Sequence, residues 1–426
     1  MTGLTKIDRV TARRVWDSRG RPTVEADVIL QNGNIGRAIA PAGASTGSGE
    51  AIDLRDGGSA LAGFDVTTAI DNINSVISPV ISGLAASDQT AVDQSLLELD
   101  GTENKARLGG NAMIAVSMAT LHAAAQQQPL WQFLLGDKTP SIPLPEIQIF
   151  GGGAHAGRRV DIQDFMIMPV GATSFVQAIE WTAEVYHAAG TLLSDAGTLQ
   201  GIADEGGFWP AFQTNEEALD CLVKAIERAG YTPGEEVAIA LDVAATEFFH
   251  NGRYHLALDN REYDTDALAE LLLRWIERYP ILSIEDPFAE NDTLGMQRFT
   301  QAVGDRIQVI GDDYLVTNAK RVERAARERA CNGLLVKPNQ AGTITETRAA
   351  LETARQAGFS TIVSARSGET EDVTIAHLAV GWSAGQIKVG SFARSERMAK
   401  WNELLRIEET LGTSAKFAGI SALNLD

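Results

Sequence analysis

Six charged residues recur along the second half of the chain at intervals that suit one strand and one helix each: Asp242, Glu285, Asp312, Lys337, Arg366 and Lys388. Their successive separations are 43, 27, 25, 29 and 22 residues. Three carboxylates brought together repel one another unless a cation sits between them. Hard oxygen ligands of this kind suit Mg²⁺. A lysine beside a dication loses part of its preference for the charged form and can then act as a general base. Removing a proton from the carbon next to a carboxylate builds a second negative charge, which metal ions and a lysine together can stabilise. Taken singly, an Asp at a strand end is more often a helix cap, and a lone Lys is usually structural or exposed. The ordered series carries the inference.

For the series to converge, each member must sit at the same end of its strand. Each closes, or lies near the close of, an apolar run: Val237–Leu241, Ile281–Ile284, Ile307–Ile310, Leu334–Val336, Thr361–Val363 and Gln386–Val389. Helix-like segments lie between them, among them Asp266–Arg278, Asn318–Arg329, Thr345–Ala357 and Glu371–Gly381. Such alternation predicts a parallel α/β architecture, and its short persistent repeat favours a barrel. Residues at the C-terminal strand ends of a parallel barrel share one rim. The first part of the chain reads as α+β. Strands are expected around Val10–Val15 and Thr23–Leu30, helices over Ala69–Ala85 and Ala112–Gln126, and a Gly/Ser-rich loop at Pro41–Gly47. The Lys138–Ser141 linker sets expected domains of 1–137 and 138–426.

The chain has 426 residues and a net charge of −20, a surface that repels nucleic acid and anionic membranes. An anionic substrate therefore needs a local cationic pocket or metal ions. The two cysteines, Cys221 and Cys331, do not suggest a disulfide framework. Leu108 to Gly136 lacks Asp, Glu, Lys and Arg but contains Asn111, Ser117, Thr120 and His122, so it reads as a buried helix and its exit rather than a membrane span. With no signal-peptide pattern at the start, a cytoplasmic protein is expected.

Longer motifs connect these residues to a known family. Asp17-Ser-Arg-Gly, Gly43-Ala-Ser-Thr-Gly47, Asp204-Glu-Gly-Gly, Leu241-Asp-Val-Ala-Ala, Ser283-Ile-Glu-Asp-Pro-Phe-Ala-Glu, Gly311-Asp-Asp, the Ser-Gly-Glu-Thr-Glu stretch ending at Glu371, Gly-Gln-Ile-Lys388 and Ala-Arg-Ser-Glu-Arg397 all match. The sequence resembles the enolase (phosphopyruvate hydratase) family over essentially its whole length. The resemblance implies an N-terminal α+β domain, a modified eight-stranded α/β (TIM-like) barrel, two Mg²⁺ per active site, and a homodimer or homo-octamer. It also implies Asp242, Glu285 and Asp312 as ligands of the first Mg²⁺ and Ser45, in a closing loop, at the second. Lys337 is implied as the base at C2 and Glu205 as the acid at the C3 hydroxyl. Lys388 would bind the substrate carboxylate and Arg366 with Ser367 the phosphate, while His155 and Gln163 line the pocket.

Departures from the family cluster at the phosphate and C3 end. The family has His before the Arg-Ser pair, where this chain has Ala365. It has Glu in Gln-Glu-Phe, where this chain has Gln163-Asp164-Phe165, and His before the loop Glu, where this chain has Gly49-Glu50. The stretch Lys337-Pro-Asn-Gln-Ala-Gly342 is also unusual. Metal ligands, base and acid are kept while two histidines and one carboxylate length change. This pattern suggests retained chemistry on an altered substrate: a 2-phosphoglycerate analogue whose phosphorus bears a carboxyl group, as for carboxyphosphonoenolpyruvate synthase of phosphonate antibiotic pathways. Ordinary glycolytic enolase and a non-catalytic enolase-like binding protein are the alternatives. A sugar-acid dehydratase or racemase is disfavoured by the Ser45 loop and the stretch ending at Glu371.

Overall fold

The computed structural model describes residues 5–425. Its N-terminal part is a three-stranded antiparallel sheet, Ile7–Trp16, Pro22–Leu30 and Ile35–Ile39, in chain order. The first turn is closed by Asp17, whose Oδ1 accepts from the backbone N–H groups of Arg19 and Arg21 at 2.9 and 2.8 Å, an Asx turn. The third strand lies outside the expected elements. It packs so tightly on the Gly110–Ala125 helix that a Cβ at Gly36 would stand 2.1 Å from Ala119 O. That helix is buried on nearly every face, which accounts for its lack of charged side chains. The helix expected over Ala69–Ala85 is broken into Thr67–Asp71, a wider π turn at Asn72–Ile77, and Ser78–Ile81. It stops before Gly83, which takes a φ of +86°.

Eight strands close a barrel: Leu144–Gly151, Asp164–Met168, Ala238–Asp242, Ile281–Glu285, Gln308–Gly311, Gly333–Val336, Ser360–Ser364 and Gly385–Ser391. The last pairs with the first in parallel, Gln386 opposite Leu144. The six strands expected from the apolar runs are all present, with ends shifted by one or two residues. The departure from a parallel barrel is the second strand, which runs antiparallel to both neighbours. Its first residue, Asp164, therefore reaches the rim where the other strands end, opposite Asp242. Ile310, Leu335 and Ile362 fill part of the interior, and Leu144, Met166, Met168, Ala238 and Ala240 fill another part.

Side-chain caps start the outer helices: Thr343 Oγ1 accepts from Glu346 N, and Asn318 Oδ1 from Lys320 and Arg321 N. Buried Asp93 in the N-terminal part accepts from Thr345 N and Oγ1 on a barrel helix at 2.9 and 2.6 Å, tying the two parts together beside the rim. Among the described residues no helix is long and apolar enough to cross a membrane. Cys221 and Cys331 are both free.

Candidate active site

The charged series does converge. A narrow cleft opens at the rim, and its walls include Asp242, Lys337, Ala365, Arg366, Ser367 and Lys388, with Gly43, Ala44 and Ser45 from the loop above. His155, Gln163, Asp164 and Glu205 complete it. Glu285 and Asp312 lie just beneath. Glu285 pairs in register with Asp242 on one side and Ile310 on the other. Lys388 Nζ sits between Asp242 Oδ2 and Glu285 Oε2, at 2.7 and 2.8 Å. Lys337 Nζ bonds Asp312 Oδ2, and Gln340 Nε2 donates to Asp312 Oδ1 at 2.8 Å.

Electrostatics in this cluster follow from burial and pairing. Glu285 is pushed well up by burial and by neighbouring Asp242. Burial would also raise Asp312, but the Lys337 ammonium outweighs it and holds the carboxyl below its usual range. Lys337 is itself raised, burial being overcome by Asp312. A buried carboxylate oxygen without a hydrogen-bond partner, Glu285 Oε1, faces this group. Such an atom is costly to leave bare. An all-oxygen set with a free buried acceptor fits a hard dication. The tightest groupings of possible ligand atoms among the described residues are, however, His155–Asp164–Glu205 and Asp286–Asp312–Asp313, because Lys388 here stands between Asp242 and Glu285.

Local backbone explains the orientations. Asp286 takes a φ of +40°, and its carboxylate accepts from Asp312 N and Asp313 N at 2.9 and 2.7 Å, which fixes the chain just where Asp312 projects. Val316 and Thr317 both have positive φ, rare for β-branched residues and a form of stored strain. Thr317 Oγ1 accepts from Lys337 N at 2.9 Å and donates to Gln340 Oε1 at 2.6 Å, so the strained segment holds the backbone of Lys337 in place. Glu205 rides the turn of a short hairpin, Leu199–Ile202 and Phe208–Pro210. Gly206 in that turn has φ +95°, and a Cβ there would meet Ala393 O at 2.5 Å, so only glycine fits.

On the opposite wall Arg366 is buried beneath the loop. Its guanidinium donates to both Glu50 carboxylate oxygens, at 2.8 and 3.2 Å, to Asn339 Oδ1 and to Ser45 O. Ser367 Oγ accepts from Ala44 N at 2.7 Å. Ser45 thus reaches the cleft through the loop and lies apart from the carboxylate cluster. Arg397, fully buried, donates to the carbonyls of Arg366, Ser367 and Val389 and fastens this strand end. Glu50, Gln340 and Arg397 are neighbours of the site that spacing does not reveal; Glu50 accepts from Arg366 across 316 residues of sequence and from Gln340 across 290.

His155 links two acids. Its Nδ1 lies 3.1 Å from Asp164 Oδ1, and its Nε2 lies 3.8 Å from Glu205 Oε1. Burial would lower the imidazole, but Asp164 and Glu205 raise it from 6.5 to about 9. Asp164 is correspondingly lowered, the burial that would raise it being outweighed by His155. A raised histidine contributes stability that is complete below pH 6.5 and lost as pH rises towards 9. His155→Gln is expected to flatten the fall of the metal-free melting temperature over that window, by on the order of 2 °C or more in calorimetry. A parallel curve for the variant would refute the ion-pair assignment.

Two family models match this chain. One, described as the enolase N-terminal domain, covers residues 7–134. The other, described as the enolase C-terminal TIM barrel domain, covers residues 139–425.

Proposed function

The chain belongs to the enolase family and is a hydro-lyase of the enolase type, and from this premise we propose that it dehydrates a 2-phosphoglycerate-like substrate whose phosphorus carries an additional carboxyl group. In this reading Lys337 takes the C2 proton, and Glu205 gives a proton to the departing C3 hydroxyl. The proton count balances: one proton leaves carbon for Lys337, and one leaves Glu205 with hydroxide as water. Lys388 binds the substrate carboxylate, and Arg366 with Ser367 binds the phosphorus end. Asp242, Glu285 and Asp312 would hold one Mg²⁺ and the Ser45 loop would help hold a second. Bound there, the ions would stabilise the doubly charged carboxylate that proton removal creates. His155, Gln163 and Asp164 line the C3 side.

The observation that carries the substrate reading is Ala365. It opens onto the cleft directly before Arg366, and its methyl leaves space where the family has an imidazole. Arg366, Lys337 and Lys388 supply positive charge around that space. An added carboxylate would compete for these cations with Glu50, Asp312 and Asp242, which pair with them here. The deciding experiment is a steady-state assay with 2-phosphoglycerate and with its carboxyl-bearing phosphonate analogue, in Mg²⁺ and again in excess EDTA. We expect turnover of the analogue by a wide margin and loss of all turnover in EDTA. Ordinary enolase rates on 2-phosphoglycerate would instead assign the chain to glycolytic dehydration, and no turnover of either would favour a binding protein.

The family habit also supports a homodimer or homo-octamer acting in the cytoplasm. Trp16, 53% exposed on the N-terminal sheet, is the kind of side chain that an assembly covers.

A further inference from the structure

Gln148 lies on the first barrel strand, 1% exposed, with both ends of its side-chain amide engaged. Nε2 donates to Asp164 Oδ1, and Oε1 accepts from Gly207 N at 2.9 Å. These partners belong to different elements. Asp164 opens the reversed second strand, and Gly207 closes the turn that carries Glu205. The space for the amide exists because side chains are missing around it. A Cβ at Gly207 would stand 2.4 Å from Gln148 Oε1, and one at Gly151 would stand 3.4 Å from Nε2.

A closed circuit results. Gly207 bonds Gln148, Gln148 bonds Asp164, Asp164 faces His155 at 3.1 Å, and His155 faces Glu205 at 3.8 Å, two residues back from Gly207. Only a carboxamide offers a neutral donor and acceptor on one rigid end that can bridge a carboxylate and an N–H in this way. Asp164 is one methylene shorter than the glutamate usual in the family, so its reach depends on whatever holds it from behind. Both side-chain hydrogen bonds of Gln148 go to the acid side of the cleft and neither to Lys337, Asp312 or Glu285.

We propose that Gln148 is a positioning residue for protonation of the leaving hydroxyl: it fixes the distance between Asp164 and the Glu205 turn, and leaves C2 proton removal alone. This rests on the reading of Glu205 as the acid, so the test includes a measurement that does not depend on the reaction.

Gln148→Leu removes both bonds with little change in size. The φ of Gly207 lies outside the left-handed region, so its backbone admits alanine, and in Gly207→Ala the added Cβ forces the unchanged amide of Gln148 to move. In D₂O with 2-phosphoglycerate or its carboxyl-bearing phosphonate analogue, C2 deuterium exchange is followed by NMR and enolpyruvate formation by absorbance. Both variants are expected to lose about 10- to 100-fold in elimination kcat. KM and the rate of C2 exchange should stay near wild type, so that exchange outruns elimination. In the ligand-free protein the His155 titration should move by about half a unit or more in both variants. Equal loss of exchange and elimination, or elimination within about twofold of wild type, would overturn the proposal. An unmoved His155 titration would overturn it whatever reaction the wild type proves to catalyse. Should Gln148→Leu fail to fold, Gly207→Ala decides alone. If the wild type neither exchanges nor eliminates while the titration does move, the assignment of the reaction has failed and the positioning has not.

Discussion

Ala365→His should reverse the substrate preference, lowering kcat/KM for the carboxyl-bearing analogue by about 100-fold and raising it for 2-phosphoglycerate. Ala365 is 7% exposed, and its N–H donates to Lys388 O at 2.9 Å, so the backbone position is pinned and the larger side chain has to project into the cleft. The cleft beneath the loop is narrow, so an imidazole there competes directly with an added carboxylate. The two outcomes separate cleanly. A specialised enzyme is harmed on its own substrate by the histidine, whereas a glycolytic enzyme impaired by its loss is improved on 2-phosphoglycerate and has no activity on the analogue to lose. Steady-state kinetics on both compounds with both proteins reads this directly. Improvement on 2-phosphoglycerate with no cost on the analogue would sink the specialised reading.

The legible parts of the molecule are those where a single chemical signal repeats. Six barrel strands announce themselves because both faces are buried and their apolar runs are continuous. The first and second barrel strands do not. Leu144–Gly151 carries Glu146 and Gln148, both buried on the face that Leu144 shares, so its apolar run is broken by polar residues that face the interior. Asp164–Met168 is five residues long and runs the other way, and no periodicity distinguishes direction. That reversal is why Asp164 stands in the cleft at the start of its strand while Asp242 and Glu285 stand there at the ends of theirs.

The same contrast holds within the site. Asp242, Glu285, Asp312, Lys337, Arg366 and Lys388 were visible as a spaced series, and they do surround one cleft. What the series does not contain is which acid meets which base. Lys388 lies against Asp242 and Glu285, while Lys337 lies against Asp312. The Glu50–Arg366 pair and the Gln148–Gly207 bond join segments with no common motif. Those pairings are set by barrel closure and by the loop folding over the rim, both long-range events.

Lys337→Ala and Glu205→Gln should each lower elimination by about 10³-fold or more, at the upper end of what general acid–base groups contribute, yet they should differ in what survives. The two groups enter the cleft from different walls. Lys337 follows the sixth barrel strand beside Asp312, and Glu205 hangs from a hairpin whose carbonyl accepts from Ser391 N at 2.9 Å beside the eighth. If one removes the C2 proton and the other serves the C3 oxygen, Lys337→Ala abolishes both deuterium exchange at C2 and product formation. Glu205→Gln should instead keep exchange and stop product. Asp312 adds a condition to this. It holds Lys337 charged, and a charged amine cannot accept a proton, so the free base requires that Asp312 be engaged elsewhere. Chelation of divalent ions should therefore reproduce the Lys337→Ala pattern, with exchange lost, and not the Glu205→Gln pattern. Exchange that persists in EDTA, or that survives Lys337→Ala, would place the base on another residue of the rim.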